Sequence, residues 1–191
     1  MSAAEEAEWK TRKRRIDPRL DALGWKLGEG AASPTPHRTE EHETANGPAD
    51  YVFWHERNIV AVVEAKKVTV GPQNVLTQAE RYARGLGDSP HNFRGLRAPF
   101  LYSTNGEVFW FHDVRHELNR SRRIAQFHTP SAIAEMLGRD FDAECQRVAA
   151  MPHDHPRLRP YQKDANAAVE KAIADRKRNL LVAMATARRE R

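Results

Sequence analysis

Cysteine is nearly missing from this chain: Cys145 is the one example in 191 residues. That excludes an internal disulfide framework and a cysteine-ligated zinc site, and it fits a reducing compartment. Long apolar runs are missing too. No stretch of ~18 residues is both apolar and uncharged, so no spanning helix and no membrane partner are expected. Met1 to Lys10 is acidic and lacks the apolar stretch of an export signal, so a cytoplasmic location is expected. Aromatic residues are sparse at 8% and hydrophobic residues reach 40%, enough for one main core with a short addition. Charge is plentiful at 30% but uneven. Residues 157–191 carry ten Lys and Arg against four Asp and Glu, leaving 21 of the 31 basic and 22 of the 26 acidic residues for residues 1–156. The net charge of +5 thus belongs to the C-terminal part. Any contact between the main body and DNA must run through a local patch, not a general field.

The patterning predicts an α/β chain with a central mixed sheet flanked by helices. Residues 5–24 read as one helix, with Trp9, Ile16, Leu20 and Leu23 at near-helical spacing, Gly24 as a stop and Pro18 as a possible kink. Residues 28–36 read as a loop and residues 37–44 as a weak strand. Two β-branched and aromatic runs, Ala49–Trp54 and Asn58–Ala65, predict a hairpin of buried strands. A helix over 75–85 follows. Two further strands over 99–103 and 107–112 are joined at Asn105-Gly106, a dipeptide suited to a tight turn. Another helix starts near Thr129, with Thr129 or Ser131 as its cap. The first domain is expected over 1–150 and a Pro-bounded linker over 151–157. Residues 158–191 form a second piece, with a helix over 161–175 and an apolar strand from Leu180 to Met184.

One constellation carries chemistry. Asp50 opens the first strand of the predicted hairpin, and Glu64 and Lys66 close the second, 14 and 16 positions later. Side chains alternate faces along a strand, so Glu64 and Lys66 share a face, and pairing brings Asp50 level with Glu64 at the hairpin's open end. Mg²⁺ favours a few hard oxygen ligands. Asp50, Glu64 and the Ala65 carbonyl supply such oxygens, and Lys66 is suited to orienting or deprotonating the attacking water. The same spacing also suits a plain strand-end ion pair worth ~0–1 kcal/mol. Against that, Glu64 and Lys66 end an uninterrupted apolar run, where unpaired charge is costly away from a cleft.

The segment Ala49-Asp50 … Glu64-Ala65-Lys66 resembles the PD-(D/E)xK nuclease motif, with Ala49 where that family has proline. Gln78-x3-Tyr82 is similar to an element of one branch of the same superfamily, and at i and i+4 the two side chains share a helix face. Glu8-x2-Thr11-Arg12-x3-Ile16-Asp17-x2-Leu20, followed by Gly24-Trp25, resembles the first helix of the nuclease domain in type I restriction enzymes. Ser103-Thr104-Asn105-Gly106 and Asp113 are similar to a later element of that domain. The resemblance implies a PD-(D/E)xK core and a Mg²⁺-dependent endonuclease acting on DNA. It implies Asp50, Glu64, the Ala65 carbonyl and Glu8 as metal ligands, Lys66 as the residue serving water, and Gln78 and Tyr82 as positioning groups. Methyltransferase and specificity subunits are the implied partners, so weak or no cutting is expected of this chain alone.

Leu158-Arg159-Pro160-Tyr161-Gln162 and the run from Asn179 to Thr186 resemble the start of a superfamily 2 helicase-like ATPase, with Gln162 matching its adenine-reading glutamine. Where that family continues Gly-Thr-Gly-Lys-Thr, this chain has Ala187-Arg188-Arg189-Glu190-Arg191, so ATP is expected to serve only a full-length relative. The chain therefore reads as the nuclease portion of a type I motor subunit, truncated at the start of the ATPase. The competing reading is a non-catalytic DNA-binding or complex-docking remnant. Arg120, Arg122 and Arg123 are the body's best phosphate-contacting patch, or else a solvated loop. His153, His155 and the His112/Asp113/His116 group read as solvated or strand-end residues before they read as metal ligands.

Overall fold

The computed structural model describes residues 8–67, 76–116, 119–175, 177 and 179–184. Residues 68–75, in which the predicted start of the third helix falls, and residues 185–191 lie outside them. The chain divides into two compact units, residues 1–137 and 138–191.

The first unit opens with one helical run in three parts: α1 (Glu8–Thr11), a π-turn (Arg12–Ile16) and α2 (Asp17–Ala22). Pro18 falls at the first turn of α2, where its missing N–H costs nothing. The π-turn inserts an extra residue into the helical register and rotates Trp9 off the apolar face. Trp9 is 63% exposed, whereas Ile16 and Leu20 are fully buried. Arg12, four residues before Ile16, shares their buried face.

Six strands follow in simple spatial order: β1 (His37–His42), β2 (Ala49–His55), β3 (Asn58–Ala65), β4 (Phe100–Thr104), β5 (Phe109–Asp113) and β6 (Arg122–Ile124). Every neighbouring pair is antiparallel except β3 and β4. A parallel pair needs a crossover, and α3 (Leu76–Gly85) lies in that connection. The sheet is thus mixed and its two faces are covered separately. One face packs Tyr51, Phe53, Val63, Phe100, Tyr102 and Phe111 against Ile16 and Leu20 of the N-terminal helices and Ile133 of α4 (Pro130–Gly138). The other packs Val52, Val62 and Leu101 against Leu76, Ala79, Tyr82 and Ala83 of α3. Trp25 stacks on Phe53 with ring centroids 4.3 Å apart and donates its indole N–H to the His128 carbonyl at 2.8 Å.

β2 and β3 are joined by Glu56 and Arg57, both at positive φ, a two-residue turn whose twist matches the strands it connects. The β4–β5 connection differs from the tight two-residue turn that Asn105-Gly106 suggested. Thr104 pairs with Phe109, leaving four residues in the loop. The Asn105 side chain accepts from the N–H groups of Glu107 and Val108, so it closes an Asx-type turn in which Gly106 takes φ +83°.

In the second unit, α5 (Phe141–Ala149), capped by the Asp140 carboxylate, and α6 (Pro160–Ala174) pack together. The strand expected from Leu180 to Met184 is not formed. That stretch carries no ladder bonds, and Leu181 is 95% exposed. Apolar composition does not make a strand without a partner edge, and this unit's described elements are helices. Among the described residues no helix is long and apolar enough to cross a membrane.

Candidate active site

The site-bearing end of the sheet is set by the β2–β3 register. Near the turn, His55 pairs with Asn58 and Trp54 with Ile59; beyond a bulge between Phe53 and Trp54, Phe53 pairs with Ala61, Val52 with Val62 and Tyr51 with Val63. Val60 is the extra residue. Continuing the register one step sets Asp50 across from Glu64, so both point to the same face at the hairpin's open end. The chain makes a close contact there: the Ala65 N–H donates to Asp50 Oδ2 at 2.6 Å. Glu64 is 3% exposed, and Lys66 donates to its Oε1 from Nζ at 2.6 Å. The Lys66 N–H donates in turn to the Thr104 carbonyl at 2.8 Å, which ties the end of β3 to the end of β4. Asp50, Glu64 and Lys66 are therefore assembled at one end of three adjacent strands.

Arg12, which the first-helix resemblance includes without giving it a role, completes this end. Arg12, 9% exposed, reaches from the π-turn and donates from Nη1 to Asp50 Oδ1 at 3.1 Å and to Glu41 Oε1, from Nη2 to the Asp50 carbonyl at 3.4 Å, and from Nε to the Tyr51 hydroxyl at 3.3 Å. Its guanidinium carbon lies 4.9 Å from the centre of the Tyr51 ring. The Tyr51 hydroxyl donates to Asp17 Oδ1 at 2.7 Å, and Asp17 pairs with Lys13, which also reaches Glu40. Burial works against the charge on Arg12, yet the bonds to Glu41 and Tyr51 and the nearby carboxylates hold its pKa above the ordinary value. Burial and the Asp17 bond likewise push the Tyr51 phenol up, so it stays a neutral donor. In sequence, Arg12 stands within the first-helix motif, where only Glu8 is given a role. The available signal is its i, i+4, i+8 alignment with Ile16 and Leu20.

The other expected residues sit as follows. Gln78 and Tyr82 share α3, which packs on β3 and β4; Gln78 is half-buried, whereas Tyr82, 8% exposed, is embedded among the apolar residues of that face and accepts from Arg81 Nη2 at 3.1 Å. Glu8 begins α1, and its side chain lies outside the described residues. Gln162, in the second unit, accepts from the Arg159 N–H at 2.9 Å and so caps α6. Arg122 and Arg123 are exposed on β6, with Arg122 over the Phe111 ring. Asp113 is held by Arg115 at 2.8 Å, and His153 pairs with Glu170 at 2.9 Å.

As a donor set, the open end of the hairpin offers oxygen only, from two carboxylates and the main chain of the residue between Glu64 and Lys66. That chemistry suits a hard divalent cation better than a soft one. Among the described residues no three His, Cys, Asp or Glu side chains stand close enough together to hold a metal on side chains alone. Asp50 and Glu64 are thus a pair, and main-chain oxygen, water or a carboxylate outside the described residues must complete any such coordination.

The description "Type I restriction enzyme EcoKI endonuclease subunit second domain" matches residues 31–137, a span holding all six strands and α3. The chain is 31% identical to the Type I restriction enzyme EcoKI endonuclease subunit of Escherichia coli (strain K12), over 90% of this chain and 19% of that protein. It spans about a fifth of that relative's length. A fragment structure of a putative HsdR subunit of a type I restriction enzyme from Vibrio vulnificus YJ016 is similar in fold, with a TM-score of 0.54 and 23% identity over 89% of this chain and 33% of that one. The chain belongs to the family of type I restriction enzyme endonuclease subunits.

Proposed function

We propose that this chain is the Mg²⁺-dependent DNA endonuclease module of a type I restriction system, built on a PD-(D/E)xK core, and that it hydrolyses DNA phosphodiester bonds. The observation that carries this reading is the placement of Asp50 and Glu64 one step beyond the last β2–β3 pair, Tyr51 and Val63, with the Ala65 N–H bonded to Asp50 and Lys66 bonded to Glu64. Asp50, Glu64 and the Ala65 carbonyl hold the ion, with Glu8 assisting. Bound there, Mg²⁺ supplies Lewis-acid polarisation of the phosphate and acidifies water. Lys66 orients the attacking water and faces the charge developing on the phosphate, and Glu64 fixes its ammonium. Gln78 and Tyr82, from the helix packed on β3, position these groups or the phosphate. In the cell the module works in the cytoplasm beside methyltransferase and specificity subunits. Residues 1–150 are the nuclease domain, 151–157 a linker and 158–191 the start of a helicase-like domain, where Gln162 retains only a vestige of an adenine contact.

The second reading, a DNA-binding or docking remnant without catalysis, draws on the cationic partner that each of Asp50 and Glu64 already has. Plasmid nicking and Mn²⁺ titration separate the two. The wild-type chain is expected to bind Mn²⁺ and to nick slowly and without sequence preference, and Asp50→Ala and Lys66→Ala to lose nicking, with Asp50→Ala also losing the ion. Equal behaviour of all three chains rejects the nuclease assignment.

A further inference from the structure

The geometry points to Arg12 as a positioning residue that holds the Asp50 carboxylate in its ligating orientation from behind, an inference that rests on the metal-site reading of Asp50. An aspartate at a strand end is free to turn about its side-chain torsions, and an ion gains little from a ligand it must first immobilise. Here both oxygens are anchored from the protein side: Oδ2 by the Ala65 N–H at 2.6 Å and Oδ1 by Arg12 Nη1 at 3.1 Å. Held by these two anchors, the carboxylate keeps one orientation at the open end of the hairpin. Partners of this kind, one step removed from the metal, set ligand orientation and are worth about 10–100-fold in affinity.

Arg12 is itself fixed. Its fork is spread over the Asp50 carboxylate, the Asp50 carbonyl, Glu41 and the Tyr51 hydroxyl, its central carbon lies 4.9 Å from the centre of the Tyr51 ring, and Tyr51 is tied to Asp17. Since Arg12 opens the π-turn and Asp17 follows it, the N-terminal helix is locked to the start of β2 from both ends of that turn. Lysine keeps the charge but gathers three donors on one nitrogen, so it cannot span the four acceptors that Arg12 serves from three nitrogens.

The alternative role is opposite in sign: an internal counter-ion that occupies Asp50 and has to be displaced by the metal. The two predict opposite shifts. Mn²⁺ affinity would be measured for the full chain and for Arg12→Met, Arg12→Lys and Asp50→Ala, alongside hydrogen exchange of the Ala65 and Val62 amides in metal-free protein. Positioning predicts that Arg12→Met weakens Mn²⁺ binding by about tenfold or more. It also predicts that Ala65 exchange speeds up by about tenfold, as its acceptor Asp50 loosens, while Val62 exchange is unchanged. Arg12→Lys should fall between wild type and Arg12→Met in both. Tighter Mn²⁺ binding in Arg12→Met, or Ala65 exchange equal to wild type, overturns the inference. If Arg12→Met does not fold, Arg12→Lys with wild-type affinity and wild-type Ala65 exchange overturns it alone. Should wild type bind no Mn²⁺ through Asp50 while Ala65 exchange still responds to Arg12, the metal-site reading fails and the positioning of Asp50 stands.

Discussion

Asp50 stands across from Glu64 because Val60 is bulged out of the β2–β3 ladder. With the two-residue turn at Glu56-Arg57 and no bulge, Asp50 would oppose Val63, and Glu64 would point to the other face of the sheet. One extra residue in β3 shifts the register by one, and a one-residue shift moves a side chain from one face to the other. The acidic pair is thus a product of the bulge as much as of the two acidic residues.

Lys66 is expected to stabilise the fold as well as to serve the site. Glu64 is 3% exposed, so replacing its ammonium partner with a neutral side chain in Lys66→Met should cost about 1–3 kcal/mol. A glutamine needs no counter-charge, so Glu64→Gln in the same background should restore most of that loss. Urea unfolding of the two single variants and the double variant checks this, and strictly additive losses would contradict it.

The turn after β4 is braced against the N-terminal helix through Gly106. This residue sits at φ +83°, and a Cβ there would come within 2.8 Å of Arg15 Cβ. Gly106→Ala therefore combines a left-handed backbone with a clash and should cost about 1–3 kcal/mol. Gly138→Ala, where an added Cβ meets nothing within 4 Å, is the matched control and should stay within about 1 kcal/mol of wild type. Thermal unfolding of the two variants side by side decides it.

Acid should destabilise the first unit through its histidines. Burial lowers the pKa of His42, His91 and His128, and Arg122 depresses His128 further. The Tyr102 hydroxyl, fully buried and with its pKa pushed well above its usual range by that burial, is hydrogen-bonded to His128 Nδ1 at 2.7 Å, the donor being set by the imidazole tautomer. A histidine with a depressed folded pKa favours the neutral form in the fold, while the unfolded chain takes up its proton near 6.5. Stability is therefore full above about pH 6.5 and falls as the pH drops below it toward the folded values. Melting temperatures between pH 7.5 and 5 should decline over that window, and His91→Gln should make the decline shallower.

Much of this was legible because strands and helices announce themselves through periodicity. β3 was expected over the residues it occupies, and α3 and α4 follow from their apolar spacing and the Thr129 cap, whose hydroxyl accepts from the Ala132 N–H. What escaped reading is what depends on a partner. The bulge at Val60 is visible only in the ladder it interrupts. β6 is three residues, Arg122-Arg123-Ile124, with no pattern of its own, and it exists because β5 offers an edge. The apolar stretch from Leu180 has the converse fate, with strand composition and no edge. The role of Arg12, a residue quoted in the first-helix motif, is hidden for the same reason, since its four acceptors are drawn from two strands.

Tyr82 allows scaffold and chemistry to be separated. Its ring is packed among Val52, Val62, Leu76 and Ala79, while its hydroxyl accepts from Arg81 on the same helix. Tyr82→Ala should open a cavity and cost about 3–5 kcal/mol. Tyr82→Phe keeps the ring and removes one hydrogen bond, which is worth about 0.5–1.5 kcal/mol. Converted to rate, one such bond is about a tenfold effect, so nicking by Tyr82→Phe is expected to stay within about tenfold of wild type. Nicking that falls in Tyr82→Phe as far as it does in Lys66→Ala, at unchanged melting temperature, would move the hydroxyl from the scaffold into the reacting centre.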